Sequence, residues 1–345
     1  MSFDVADALR TAQLVRELME AQYTGAAGRV LQEIAGNSSS GIMQRRLREL
    51  NAEAARLAGL GERLDPQNPM LRAAVADFND VMMVNGRAVA GAADDIQRIA
   101  VDEAGQLVRQ LALPGLDDRA LAQIGVGWNV PDPEAVNALV GFVDDPAWAA
   151  QLAQYSDDGA AIINNIAVRG FVEGWGPQRM AREITSAVES VPLGQADNLM
   201  RTLQIRSSER AAVVHRLANA DILESHIRIA ALDDRTCLAC IALHGTELKL
   251  DEQVVDHHRG RCTSISIVTG RGREMQSGEE WFEAQPEDRQ RLIAGHANFE
   301  AMQAGVVRLR DFPERYDDPV FGEMVREASL SSRLGEEARE YYRHG

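Results

Sequence analysis

Lysine is almost missing from this chain of 345 residues: Lys249 stands alone, and every other one of its 36 basic residues is arginine. Arginine's planar, permanently charged fork suits bidentate pairing with carboxylates. Carboxylates are plentiful, with 52 Asp and Glu and a formal net charge of −16. A chain that coats duplex DNA without sequence preference is normally basic, because phosphate neutralisation supplies its affinity; that class is excluded. Cysteine is scarce too. Cys237, Cys240 and Cys262 are the only three, all within one short stretch. An odd number confined to one region is not the framework of a secreted disulfide scaffold. The first residues, MSFDVADALR, lack the basic start and apolar stretch of a signal peptide, so none is expected. No uncharged apolar run approaches the roughly 18 residues that a membrane-spanning helix needs, and no membrane association is expected. A hydrophobic fraction of 45% does supply a sizeable core, which excludes a disordered or fibrous chain.

The apolar residues are patterned mostly for helix. A first helix is expected over residues 4–35, closed by Gly36, Asn37, Ser38, Ser39, Ser40 and Gly41, and a second over 42–59. After the turn at Asp65, Pro66, Gln67 and Asn68, Pro69 suits an early helical position, where a missing NH costs nothing. Leu71, Val75, Phe78, Met82, Val89, Ala92, Ile96, Ile99, Leu107 and Leu111 then fall mainly at three- and four-residue steps. That periodicity predicts one helix running to residue 112. At 1.5 Å per residue it is a rod on the order of 60 Å, which needs a partner along its apolar stripe. Residues 114–146 read as an irregular crossover with one short helix. Further helices are expected over 147–168 and 178–190, with Pro192 and Gly194 preceding another long segment. The period then changes to two: Ile227 and Ile229 flank Arg228, Leu248 and Leu250 flank Lys249's position, and Ile265 and Ile267 flank Ser266. These predict three short half-buried strands. A fourth is expected at Val306 to Arg310. The fold class follows: a mainly α N-terminal arm with long helices, then a compact α+β module with a small antiparallel sheet and a cysteine/histidine knuckle. The expected domains are 1–195, 196–312 and a C-terminal tail, 313–345.

The strongest chemical signal is Cys237-Leu238-Ala239-Cys240, followed by His257 and Cys262. A CxxC turn presents two sulfurs to one point, and a second pair arriving from another loop closes a tetrahedral Cys3His shell. Soft sulfur ligands with one imidazole select zinc, and a closed shell is structural. Three readings compete with this one. The thiols are buried without an ion, the CxxC is a redox pair, or His258 replaces His257 as the ligand. The redox reading is disfavoured because the motif follows Asp233 and Asp234 in a turn instead of opening a helix after a strand.

Other candidates have plainer explanations. Asp233 and Asp234 read as turn formers that accept local backbone NH groups. Ser277 and Glu280 form the first and last positions of a capping box. His215, His226, His244 and His296 stand alone, with none of the spacing of a catalytic metal motif. The GRGR run at Gly270 and Gly272 lacks the spacing of a phosphate-binding loop. An enzymatic alternative, a zinc-dependent hydrolase or nucleic-acid-processing enzyme, would need an open metal site and an acid–base pair such as Asp233 with His258. No catalytic residue is assigned.

The region around the cysteines resembles the phage head morphogenesis family, the minor head proteins similar to that of phage Mu. The matching residues begin with Arg201-Thr202. They continue through Asp233-Asp234-Arg235-Thr236-Cys237-Leu238-Ala239-Cys240, Leu243, Gly245, His257 and Arg261-Cys262-Thr263, then Gly278-Glu279-Glu280-Trp281-Phe282, Gln290, Gly295, Gly305 and Asp311. The likeness covers residues 160–312. It departs at His258 and Gly260, where the family commonly has a proline and a further cysteine. The resemblance implies a low-copy virion or procapsid component acting with portal, capsid or scaffold proteins in head assembly and DNA packaging, without catalysis. Arg259, Arg261, Arg271 and Arg273 are the candidates for a local DNA contact.

Overall fold

The computed structural model describes residues 21, 25, 27–113, 127–270 and 275–342. Most of the expected first helix, much of the crossover after Pro114, and Arg271 and Arg273 lie outside these residues. The described part is mainly helical, with long helices first and a small antiparallel sheet and Cys/His cluster later.

Residues 27–38 form α1. Helix α2, Gly41–Leu60, starts where the Ser40 hydroxyl accepts the Met43 NH and ends at Gly61 in the left-handed region, where glycine carries no Cβ penalty. Helix α3, Pro69–Ala112, matches the periodicity read from the sequence and buries Leu71, Phe78, Met82, Val89 and Ile96. Helices α4, Pro133–Val140, and α5, Pro146–Val172, each begin with proline after an aspartate cap, Asp132 and Asp145.

Helix α6, Pro177–Ala218, departs from expectation because it continues through Pro192 and Gly194. An interior proline costs about 3 kcal/mol. Here Ile184, Val188, Ala196, Met200 and Leu203 form one buried stripe on both sides of it, and the Tyr155 hydroxyl donates to the Pro192 carbonyl at 3.1 Å. Continuous burial outweighs the local break, and the boundary expected at residue 195 falls inside a helix.

The chain forms two compact units, each discontinuous in sequence. A helical unit draws on Gln22–Ile96 and Phe142–Leu203, and a sheet unit on Gln97–Gly141 and Gln204–Gly345. In the helical unit, Arg46 pairs with Asp77 at 2.7 Å, and Asn37 donates to the buried Asn85 at 3.0 Å.

The sheet unit is built on three antiparallel strands, β1 Leu223–Ile229, β2 Glu247–Leu248 and β3 Thr263–Val268, with β1 central. Ile227 lies opposite Ile265 and Glu247. One sheet face, Ile227, Ile229, Ile265 and Ile267, packs on Leu111 from the end of α3. The other face carries His226, Arg228, Ser264 and Ser266 and is buried as well. The alternation in β1 therefore does not mark a solvent face as expected: from Ser225 to Ile229 every residue is buried.

A short helix α7, Leu238–Ala242, lies between β1 and β2. Helices α8 Gly278–Glu283, α9 Glu287–Ala294 and α10 His296–Gln303 follow β3. The Ser277–Glu280 capping box opens α8. The strand expected at 306–310 is absent. Val307 and Leu309 alternate into the core, but the Asp311 carboxylate accepts the Arg308 NH at 2.7 Å and closes a 3-10 turn, Leu309–Asp311. The residues read as a separate tail contain a hairpin, β4 Pro313–Asp318 and β5 Gly322–Glu327, then α11 Leu330–Leu334 and α12 Ala338–Tyr342. Leu330 and Ala338 join one core with Leu238, Ile241, Phe282, Phe299 and Phe312, so the segment through Tyr342 belongs to the module.

Candidate metal centre

The turn before α7 is set by local bonding. Asp233 accepts the Arg235 NH at 3.1 Å and the Thr236 hydroxyl at 2.8 Å, and holds Arg261 bidentately at 2.6 and 2.7 Å. Asp234 pairs with Arg289 at 2.9 Å. Asp233 acts as the turn former expected of it, whereas Asp234 is held by the distant Arg289. Contrary to the expectation that the CxxC does not open a helix after a strand, Cys237 caps α7, which follows β1; its sulfur accepts the Cys240 NH at 3.4 Å, so the two-residue spacing places both sulfurs together. The Glu327 carboxylate, from the end of β5, accepts the Leu238 NH at 2.7 Å and fastens this turn to the hairpin.

His257 and Cys262 come from the loop between β2 and β3, which three buried arginines hold from inside. Arg206 donates to the Val254 carbonyl at 3.3 Å and also to the carbonyls of Phe321 and Glu323 in the hairpin. Arg216 donates to Ser264 at 3.1 Å, pairs with Glu209 at 2.8 Å and reaches the carbonyls of Leu250 and Glu252. Arg228 donates to the Val255 carbonyl. A loop whose carbonyls face inward needs such donors, because unpaired buried acceptors are costly.

Ligand atoms of Cys237, Cys240 and His257 lie within 4.8 Å of one another, as do those of Cys240, Asp256 and Cys262. The four residues expected to bind metal, together with Asp256, therefore form two triads sharing Cys240, with Cys262 in the second triad and Cys237 and His257 in the first. The His257 Nδ1 lies 2.8 Å from the His258 carbonyl, which fixes that nitrogen as a donor and leaves Nε2 to face the cluster. His258 itself points elsewhere: its Nε2 is 3.2 Å from Asp318, and its ring meets the edge of Phe321. This arrangement favours His257 over His258 and separates the acid–base pair of the enzymatic reading, Asp233 and His258, onto different partners.

The local electrostatics favour thiolate at Cys237 and oppose it at Cys240. Hydrogen bonding with Cys240, with His257 nearby, lowers the Cys237 pKa to about 5 despite burial. Cys240 is pushed up by hydrogen bonding with the Cys237 and Cys262 sulfurs, by burial and by Asp256, whose carboxylate accepts the Cys240 thiol proton at 3.3 Å. The hydrogen bond to Cys237 raises His257 to about 10. Without an ion, the cluster thus retains protons that a divalent metal would displace.

Sequence reasoning missed two members of the cluster. Asp256 is almost fully buried and accepts the NH groups of His257 at 2.9 Å and Cys262 at 3.0 Å. Burial opposes its ionisation, yet His257, Arg228 and those amides hold its pKa below the ordinary carboxylate value. Arg228 donates to Cys262 at 3.2 Å and Cys240 at 3.6 Å. Its only sequence signal was a charged residue in the central strand of a small sheet.

Comparison with protein-family models, with curated proteins and with solved structures finds no match. The donor set itself defines the class of site: a partly buried cysteine/histidine/aspartate cluster able to hold a metal ion.

Proposed function

We propose that Cys237, Cys240, His257 and Cys262 bind one structural zinc ion, and that the chain is a non-catalytic minor head component acting in phage head morphogenesis. The observation that carries the metal assignment is the meeting of a helix-capping CxxC turn with His257 and Cys262 from a separate, internally braced loop. Zinc there would cross-link α7 to that loop and contribute its binding energy to folding. The head-assembly role rests on the ordered likeness of residues 201–311 to the minor head family, and it is supported by the engagement of Asp233 and His258 in ion pairs. The partners would be the portal and neighbouring capsid or scaffold proteins, in the virion or procapsid. A local DNA contact is secondary, because a phosphate at Arg261 would compete with Asp233.

The two parts are tested separately. Metal analysis of protein purified without chelator should find about one zinc per chain, and less than about a tenth of an equivalent refutes the ion. Cys237→Ser should lower both metal content and stability of the sheet unit. Reconstitution with the cognate portal should give a complex of defined mass. No association, together with normal heads assembled in the chain's absence, refutes the assembly role.

A further inference from the structure

The second triad, Cys240, Asp256 and Cys262, already has a cation beside it. The Arg228 side chain is 2% exposed, and its Nη2 lies 3.2 Å from the Cys262 sulfur, 3.6 Å from the Cys240 sulfur and 3.7 Å from Asp256 Oδ1. We propose that Arg228 is a positioning residue of the metal centre, a built-in second cation whose guanidinium fixes the Cys240 and Cys262 sulfurs and Asp256 around a single metal ion. This inference rests on the zinc reading above.

The argument is one of charge and shape. Three thiolates and the Asp256 carboxylate carry four negative charges. A divalent ion offsets two, and a buried site tolerates the remainder poorly because the low dielectric magnifies every uncompensated charge. Arg228 offsets a third and donates directly to the two sulfurs that share its triad. The same guanidinium donates to the Val255 carbonyl, so it also sets the backbone immediately before Asp256 and His257. Position 228 is opposite Ser264 in β3, which fixes the arginine's origin within the central strand. Lysine has one compact head and cannot bond two sulfurs, a carboxylate and a carbonyl in this fan-like arrangement; the planar fork can. A guanidinium at this position also disfavours a second metal ion in the Cys240–Asp256–Cys262 triad by like-charge repulsion.

Cobalt(II) titration of the full chain separates this inference from the reading beneath it. The wild type should take up one cobalt per chain with sulfur-to-metal charge-transfer bands. Loss of an outer hydrogen-bond partner typically weakens metal sites by about 10–100-fold. Arg228→Met should fall in the upper part of that range and Arg228→Lys in the lower part, both with shifted charge-transfer energies. A wild type that binds no cobalt, zinc or cadmium refutes the metal reading and this inference with it. A wild type that binds normally, with both variants matching its affinity and spectrum, refutes the role of Arg228 alone. A measurement on the unsubstituted protein covers the case in which neither variant folds. In the cadmium-113 form, an Arg228 guanidinium proton should show scalar coupling to the metal through the sulfur. A loaded centre with no such coupling, and no proximity of the guanidinium to the Cys240 and Cys262 β-protons, overturns the inference.

Discussion

Replacing Gly260 with alanine tests how closely Asp256 is held. Gly260 does not occupy the left-handed region, so its backbone conformation alone does not demand glycine. Its immediate surroundings do: a Cβ at that position would overlap the Asp256 carboxylate. The carboxylate cannot withdraw without giving up its bonds to the NH groups of His257 at 2.9 Å and Cys262 at 3.0 Å. A hydrogen bond to a charged group contributes about 1.5–3 kcal/mol, so losing both costs about 3–6 kcal/mol. Partial escape of the carboxylate toward water favours the lower end. For a unit of this size about 3 kcal/mol corresponds to a fall of about 6–12 °C in unfolding temperature. Hydrogen exchange of the β1 and β3 amides is the preferred assay, since it reports on the sheet unit by itself. Gly194→Ala is the control: its Cβ would meet nothing within 4 Å, and in a helix the change should stabilise by about 0.5–1 kcal/mol. The decisive comparison is a double-mutant cycle with Asp256→Ala. If the methyl acts through the carboxylate, Gly260→Ala should cost less than about 1 kcal/mol in that background. An equal cost in both backgrounds would refute the reasoning.

Acid should destabilise the sheet unit through two other histidines. Burial, reinforced by Arg216 for His226 and by Arg228 for His244, lowers both pKa values to about 4. Between about pH 6.5 and pH 4 the unfolded chain binds protons that the folded chain refuses. Stability should therefore fall as pH falls through that window, by up to about 1.4 kcal/mol per pH unit for each histidine. His244→Gln should reduce that slope, which the buried His215 also contributes to; an unchanged slope in urea titrations across the window contradicts the assignment. Arg206→Met should leave the carbonyls of Val254, Phe321 and Glu323 without this donor and cost at least about 2 kcal/mol. Exchange of the β4–β5 amides should accelerate well before that of β1, and uniform acceleration would show that Arg206 does not fasten the hairpin specifically.

How much of this was legible in the sequence depends on the range of the interaction. Helix α3 could be read from Pro69 to residue 112 because its stripe repeats over many turns. Pro192 misled because a local rule was set against burial on both sides that only the tertiary structure reveals. The turn at Arg308–Asp311 misled because Val307 and Leu309 alternate into the core as strand residues would, while the Asp311 carboxylate bonds the Arg308 NH and closes a 3-10 turn. The cysteine spacing brought out the candidate centre, since CxxC geometry is local. Spacing alone left His257 and His258 equivalent, and their separation depends on Asp318 in a distant hairpin. Arg228 and Asp256 were missed for a common reason. Charged residues in an acidic, arginine-rich chain are assigned to solvent by default, and only the covering of the sheet's polar face makes them internal.

The two long helices also set an order for biosynthesis. Residues Gln22–Ile96 and Phe142–Leu203 can complete the helical unit while the ribosome is still translating, but Gln97–Gly141 must wait for Gln204 onward to find its packing partners. The intervening segment emerges early and is satisfied late. A nascent chain stalled near residue 204 should thus present the apolar end of α3, Leu107, Val108 and Leu111, as a ready target for chaperones.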